Sequence, residues 1–290
     1  MANHILKAGG TLLLVGLTGW CCAQTDVSLF WKKDGQQRTE VTSLKADEYK
    51  TIGHHGPAVE NMYMALRLYY NNSGAIDVFS KSGKHLELAR FQWYTTEKDQ
   101  AEGYGCDEYR VGSTVGLGGI NLWDGEKVLK LVATRGRDAR VGKTKNGAFA
   151  EMLSKGVPYR GDTVDILVRV NMFNDSRDAE VEAFCTTGQK VQFVTGINYH
   201  PGQEVEYSDG RIGVWGIHPA DVSQHPIPIG GGMCYRVKDI VRVDKTKDMI
   251  RLVSKPAKTL RTRVSSASVR ETDINTPELF FSYVRGMKIK

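Results

Sequence analysis

The chain has 290 residues, a formal net charge of +6 and 41% hydrophobic residues, which allows one large domain or two small ones. Its positive charge is dispersed and lacks the concentrated stripe and motif of a nucleic-acid binder. After the first segment no apolar run approaches the roughly twenty residues of a membrane-spanning helix, so no transmembrane segment is predicted in the mature chain.

Residues 1–24 read as a secretory signal peptide, with Lys7 in a short basic start, an apolar run from Thr11 to Trp20 and a small-residue site at Cys22-Ala23-Gln24. Export to the periplasm is predicted, leaving residues 25–290 as a single domain. Acylation on Cys21 or Cys22 is disfavoured, because the bulky Trp20 stands where a lipoprotein leader carries a small residue. The mature chain keeps Cys106, Cys185 and Cys234. An odd number cannot all pair and no CxxC spacing occurs, so buried free thiols are predicted.

Asp26 to Lys33 has strand composition, and Asp34 to Lys50 reads as a polar loop leading to a turn at Gly53. His54-His55-Gly56-Pro57 precedes a strand-like stretch from Tyr63 to Tyr70. Asn71-Asn72-Ser73-Gly74 is a turn signal and Ala75 to Lys81 returns as a strand, giving a hairpin. Gly103 to Gly125, GYGCDEYRVGSTVGLGGINLWDG, holds seven glycines in one segment. Glycine allows close backbone approach to a ligand. Tyr109 and Trp123 offer flat faces, and Asp107, Glu108, Arg110 and Asp124 offer polar partners suited to a ring-shaped ligand such as a sugar. The alternative for this stretch is a β-meander with tight turns.

Further along, Lys127 to Thr134 should be a strand and Arg135 to Gly147 reads as basic and turn-like. Strands are expected over Ala148 to Ser154, Val164 to Phe173, Ala179 to Thr186, Lys190 to Asn198, Arg211 to His218, Tyr235 to Val243 and Met249 to Ser254. Their spacing, with Gly, Asn and Asp between them, is that of an all-β sandwich or barrel. The local basic excess from Lys255 to Arg270 fits a solvated strand face. Only the end looks helical: Thr276 can cap, Pro277 suits the first position, Glu278 complements the dipole, and Leu279, Phe280, Tyr283, Val284 and Met287 share one stripe. That helix is expected to dock on the sandwich edge.

Gly142-Lys143-Thr144 lacks the upstream glycine of a phosphate loop, since position 137 is Arg137, and Gly116-Leu117-Gly118-Gly119 lacks the third glycine of a dinucleotide fingerprint. No HxxxH or HExxH occurs, so neither a metal site nor a cofactor is predicted. There is no GxSxG elbow. His54, His55 and His200 stand beside glycine or proline at strand ends, where a histidine can shuttle protons with a carboxylate such as Asp107, Glu60 or Glu182. Each also fits a loop residue bonded to backbone. Paired carboxylates of glycosidase type leave no mark in sequence spacing.

The segments HHGPAVENMYMALRLYY (His54 to Tyr70), SGAIDVFSK (Ser73 to Lys81) and YGCDEYRVGSTVGLGGINLWDG (Tyr104 to Gly125) resemble a family of exported bacterial proteins encoded in polysaccharide-utilisation loci, often near unsaturated uronyl hydrolases. That family is similar in expected fold to galactose-mutarotase-like sugar enzymes. The resemblance implies a large antiparallel β-sandwich with a short C-terminal helix and sugar bound on a concave sheet face. It implies acid–base chemistry of lyase, hydrolase or epimerase type, with Asp107, Tyr109, His55 and His200 as catalytic candidates and Arg110, Trp123, Glu60 and Arg67 as substrate-binding ones. The mutarotase catalytic motifs themselves are absent. The expected ligand is a sugar or uronic-acid-containing oligosaccharide, and the alternative function is glycan binding without turnover. An enzyme should bring a carboxylate and a histidine within hydrogen-bond reach in one cleft, whereas a binder needs aromatic and neutral polar groups only.

Overall fold

The computed structural model describes residues 24–91, 94–220 and 225–289. Residues 1–23 of the predicted leader, with Cys21 and Cys22, lie outside the described residues. Strands β1 (Thr25–Ser28), β2 (Glu40–Ser43), β3 (Ala58–Asn61), β4 (Met64–Leu68) and β5 (Ile76–Ser80) come first, then a short helix, α1 (Glu97–Ala101). They are followed by β6 (Asn121–Trp123), β7 (Val128–Leu129), β8 (Arg137–Thr144), β9 (Gly147–Tyr159), β10 (Asp162–Phe173), β11 (Ala179–Cys185) and β12 (Gln192–Asn198). Next come β13 (Glu204–Ser208), β14 (Arg211–Ile217), β15 (Pro228–Tyr235), β16 (Ile240–Lys245), β17 (Met249–Ser254), β18 (Thr259–Ser268) and the helix α2 (Pro277–Gly286).

These strands form an all-β sandwich of antiparallel sheets. One layer is a nine-stranded sheet in the order β13-β14-β15-β18-β11-β10-β9-β8-β2. The facing layer consists of a four-stranded sheet, β1-β3-β4-β5, and a five-stranded one, β16-β17-β12-β6-β7. The two are stitched together by the glycine-rich stretch. Ile76 bridges to Gly116 and Leu117 bridges to Ile197, while Gly118 N–H donates to the Gly196 carbonyl at 2.9 Å. Gly116 holds φ 67°, and a Cβ there would strike the Ile76 carbonyl oxygen. The glycine at 116 is therefore demanded by a seam between sheets.

Period-two alternation places Val59, Leu66, Leu68, Ile76 and Val78 in the main core, facing the nine-stranded sheet. Ala58, Ala65 and Phe79 lie on the opposite face with Leu88. The segment after β5 covers that face, so β3, β4 and β5 are buried on both sides. Helix α2 starts as its sequence predicts, with the Thr276 hydroxyl accepting from Leu279 N–H. It docks on a face of the nine-stranded sheet rather than its edge: Phe280, Phe281 and Val284 gather with Trp215, Cys234 and Ala267.

Several element expectations need correction. β2 lies inside the stretch expected as loop, and β8 occupies the stretch expected as a turn. Within Lys127 to Thr134 only Val128 and Leu129 form a strand. Tyr235 to Val243 is two strands separated by a 3-10 turn at Val237–Asp239. α1 was hidden in a polar stretch, although Thr96 and Asp99 form a reciprocal capping box. Cys106, Cys185 and Cys234 are free and buried. Among the described residues no helix is long and apolar enough to cross a membrane.

Candidate functional site

The candidate site grows from the covered face of the four-stranded sheet. On β4, Arg67 stands directly opposite Asp77 on β5, and the two form an ion pair. Tyr69 follows Arg67 by two positions and shares its face, so its hydroxyl reaches the same Asp77 oxygen at 2.7 Å. Asp107, from the covering segment, meets the same guanidinium nitrogen at 2.6 Å. One buried cation thus pairs with two carboxylates, Asp77 fully buried and Asp107 at the rim. Burial pushes Asp77 up to about 7 against the pull of Arg67.

His55 enters this cluster through an unusual turn. His54 and His55 hold φ of 53° and 63°, both left-handed, in a 3-10 turn. Non-glycine residues in this region carry strain of order 1–3 kcal/mol each. Cross-strand bonds pin the turn: Tyr70 N–H donates to the His55 carbonyl at 2.8 Å and Leu68 N–H to that of Pro57 at 3.0 Å. The His55 ring stacks on Tyr49, with centroids 3.8 Å apart and planes 8° off parallel, and meets Tyr69 edge-on. Its Nδ1 lies 2.9 Å from the Tyr49 carbonyl and its Nε2 2.9 Å from the Tyr94 hydroxyl. A carbonyl only accepts, so Nδ1 carries the proton, and Nε2 is left to accept from Tyr94. Burial, helped by the Arg67 and Lys32 charges, holds His55 down to about 4 and therefore neutral. Burial and the Asp107 charge push Tyr94 up to about 12.

The structure brings together three of the residues singled out from sequence, His55, Arg67 and Asp107, and adds four that sequence reasoning missed: Tyr49, Tyr69, Asp77 and Tyr94. The others lie elsewhere. Tyr109 is buried, its ring 4.4 Å from that of His218. His200 forms a second, histidine-paired cluster with His218, ring centroids 4.9 Å apart, and its Nε2 sits 3.0 Å from the Arg110 carbonyl. Arg110 directs its guanidinium to the Ala220 carbonyl at 3.1 Å. Trp123 belongs to the five-stranded sheet, with Arg242 over its ring at 4.1 Å and Arg251 at 5.5 Å. Glu60 is fully buried in an ion pair with Lys81 and accepts from the backbone N–H groups of Glu87 and Leu88. That environment reads as structural.

No carboxylate bonds the His55 ring among the described residues. A histidine–carboxylate contact occurs instead at His85, whose Nε2 lies 2.9 Å from Glu87 Oε1. Burial raises Glu87 to about 7, and the same carboxylate accepts from Gly105 N–H at 3.0 Å. Glu87 thereby fastens the start of the segment that presents Asp107.

Residues 19–290 match the model of the family described as "Domain of unknown function (DUF4861)", and the chain belongs to that family. No curated protein matches it. Among solved structures it is similar in part to 4-alpha-glucanotransferase from Thermococcus litoralis, with a TM-score of 0.35 and 11% identity over 73% of this chain and 39% of that one. The chain thus spans about two fifths of that enzyme.

Proposed function

We propose that the chain is an exported carbohydrate-active enzyme that processes a sugar or uronic-acid-containing oligosaccharide by acid–base chemistry of lyase, hydrolase or epimerase type. The observation that carries this reading is the Tyr94–His55 bond with its fixed tautomer. Tyr94 holds its proton at rest and points it at a neutral imidazole. When a substrate proton moves to the Tyr94 oxygen, the hydroxyl proton can pass to Nε2, and the reverse transfer returns a proton to a leaving or ring oxygen. Asp107 and Arg67 supply the neighbouring charge, and Asp77 and Tyr69 hold Arg67 in place. One observation favours the alternative, glycan binding without turnover: among the described residues the His55 ring nitrogens meet Tyr49 and Tyr94, not a carboxylate.

The deciding experiment incubates the full chain with pectic, glucuronan-type and neutral oligosaccharides and follows products by mass spectrometry. New product is expected from the parent, slowed about 10²- to 10⁴-fold in Tyr94→Phe with binding retained. Binding without product in the parent would favour the glycan-binding reading, and unchanged turnover in Tyr94→Phe would remove Tyr94 from the chemistry.

A further inference from the structure

A cavity of about 430 Å³ opens beside the His55 turn. Its walls include Trp31 and four lysines, Lys32, Lys33, Lys45 and Lys50. Two stretches of chain, 31–33 and 45–51, supply these cations, so their convergence is a product of the fold. Trp31 bridges to Ile52, and Lys32 N–H donates to the Thr51 carbonyl at 2.9 Å. This pairing draws the start of the chain against the turn that carries His55.

The lining also contains Glu48, but that acid is buried and accepts from the Ser43 hydroxyl at 2.8 Å and from Thr51. No carboxylate lies within ion-pair distance of Lys33, Lys45 or Lys50 among the described residues, and Lys33 Nζ sits 5.9 Å from the Trp31 ring centre. Like charges gathered around one concavity repel each other unless an anion enters. The flat indole beside them suits the apolar face of a sugar ring. The cavity also adjoins the proposed site: Glu48 and Lys50 line it, and between them Tyr49 stacks on His55 and bonds its Nδ1.

We propose that this cavity is a subsite for a negatively charged sugar residue, so that the oligosaccharide crossing the His55 cluster is anionic, with carboxylate or sulfate groups held by the lysines while Trp31 carries the ring. This rests on the carbohydrate reading of the neighbouring site and extends it to a substrate class. The lysines act as mobile point charges. Binding should therefore depend strongly on salt, because the screening length falls from about 30 Å at 0.01 M to about 3 Å at 1 M.

The test titrates the full chain with trigalacturonate, with its methyl ester and with a sulfated carrageenan oligosaccharide, by calorimetry across that salt range. An acid should bind at least about ten-fold tighter than the neutral ester at low salt, with the gap closing at high salt. Lys33→Gln/Lys45→Gln/Lys50→Gln should lose that advantage and keep the weak ester binding, while the corresponding triple arginine variant retains it. Whichever of the galacturonate and the sulfated sugar shows the lysine-dependent gain identifies the anionic group. Equal binding of acid and ester, no binding of any probe, or an unaffected triple glutamine variant overturns the subsite. Product formation in Tyr94→Phe is read in the same samples. Lysine-dependent binding with turnover unaffected by Tyr94→Phe would sink the catalytic assignment and leave the subsite standing.

Discussion

Arg67 shows how a single residue can organise a site that it does not itself open to solvent. Its guanidinium is buried and paired with Asp77 and Asp107, and Asp77 in turn accepts from Tyr69. Removing one partner of such a pair costs far more than the pair contributes, because the remaining charge stays buried without compensation. Arg67→Met, close in length but uncharged, is expected to destabilise the fold by about 3–5 kcal/mol in urea denaturation. A loss below about 1 kcal/mol would mean that the two carboxylates simply take up protons when the cation is gone. Part of this arrangement was legible in sequence. Arg67 and Tyr69 share a strand face by period two, and the Asn71-Asn72-Ser73-Gly74 turn fixes a hairpin that sets Asp77 opposite Arg67. Tyr94 left no such signal, since it lies outside any strand or helix and its bond to His55 joins residues 39 apart.

At the scale of elements, local chemistry was readable where a motif completes itself within a few residues. α2 is the case in point: cap, proline and apolar stripe all lie inside one segment. β8 was not readable, because its alternation is disguised by Arg137, which takes an inward position as though it were apolar. That guanidinium is fully buried, reaching the Ala46 carbonyl and Asn72 Oδ1 at 2.8 Å each and also bonding Ser154 and the Leu131 carbonyl. Nothing local announces those acceptors. The docking of α2 gives an element-scale prediction. Gly232 on β15 leaves room for the helix, and a Cβ there would lie 2.7 Å from Val284 Cγ2. Gly232→Ala should cost about 1–3 kcal/mol by overpacking, read as a lowered denaturation midpoint. Trimming the helix in the double variant Gly232→Ala/Val284→Ala should cost less than the two single changes summed; strict additivity would mean that the contact is not the cause.

The whole molecule carries buried titratable groups of opposite pH sense. Burial holds His54 and His218 to about 3 and His55 to about 4, so the folded chain resists protonating them while the unfolded chain takes up protons below about 6.5. Their neutral burial therefore supports the fold above about pH 6.5, and that support is lost as pH falls toward 4 and 3. Asp77 and Glu87, raised to about 7, act the other way, since they keep protons that the unfolded chain has released, an advantage lost as pH rises through 7. The parent's own profile mixes these, so variants separate them. Relative to His54→Asn, the parent should lose stability as pH drops from 6.5 to 4, by up to about 1.4 kcal/mol per unit. Relative to Asp77→Asn, it should lose stability as pH rises from 4 to 7. Parallel profiles for parent and His54→Asn would show that His54 titrates normally in the folded chain.

The left-handed pair His54-His55 has a consequence for how this protein can change. A glycine at position 55 would relax the turn and remove a cost on the order of 1–3 kcal/mol, yet it would also remove the ring that Tyr49 and Tyr94 hold. Selection for thermal robustness and selection for the imidazole then pull in opposite directions at one codon. Lineages that gain heat tolerance while keeping the ring can relax this turn only at position 54, or must find their extra stability elsewhere.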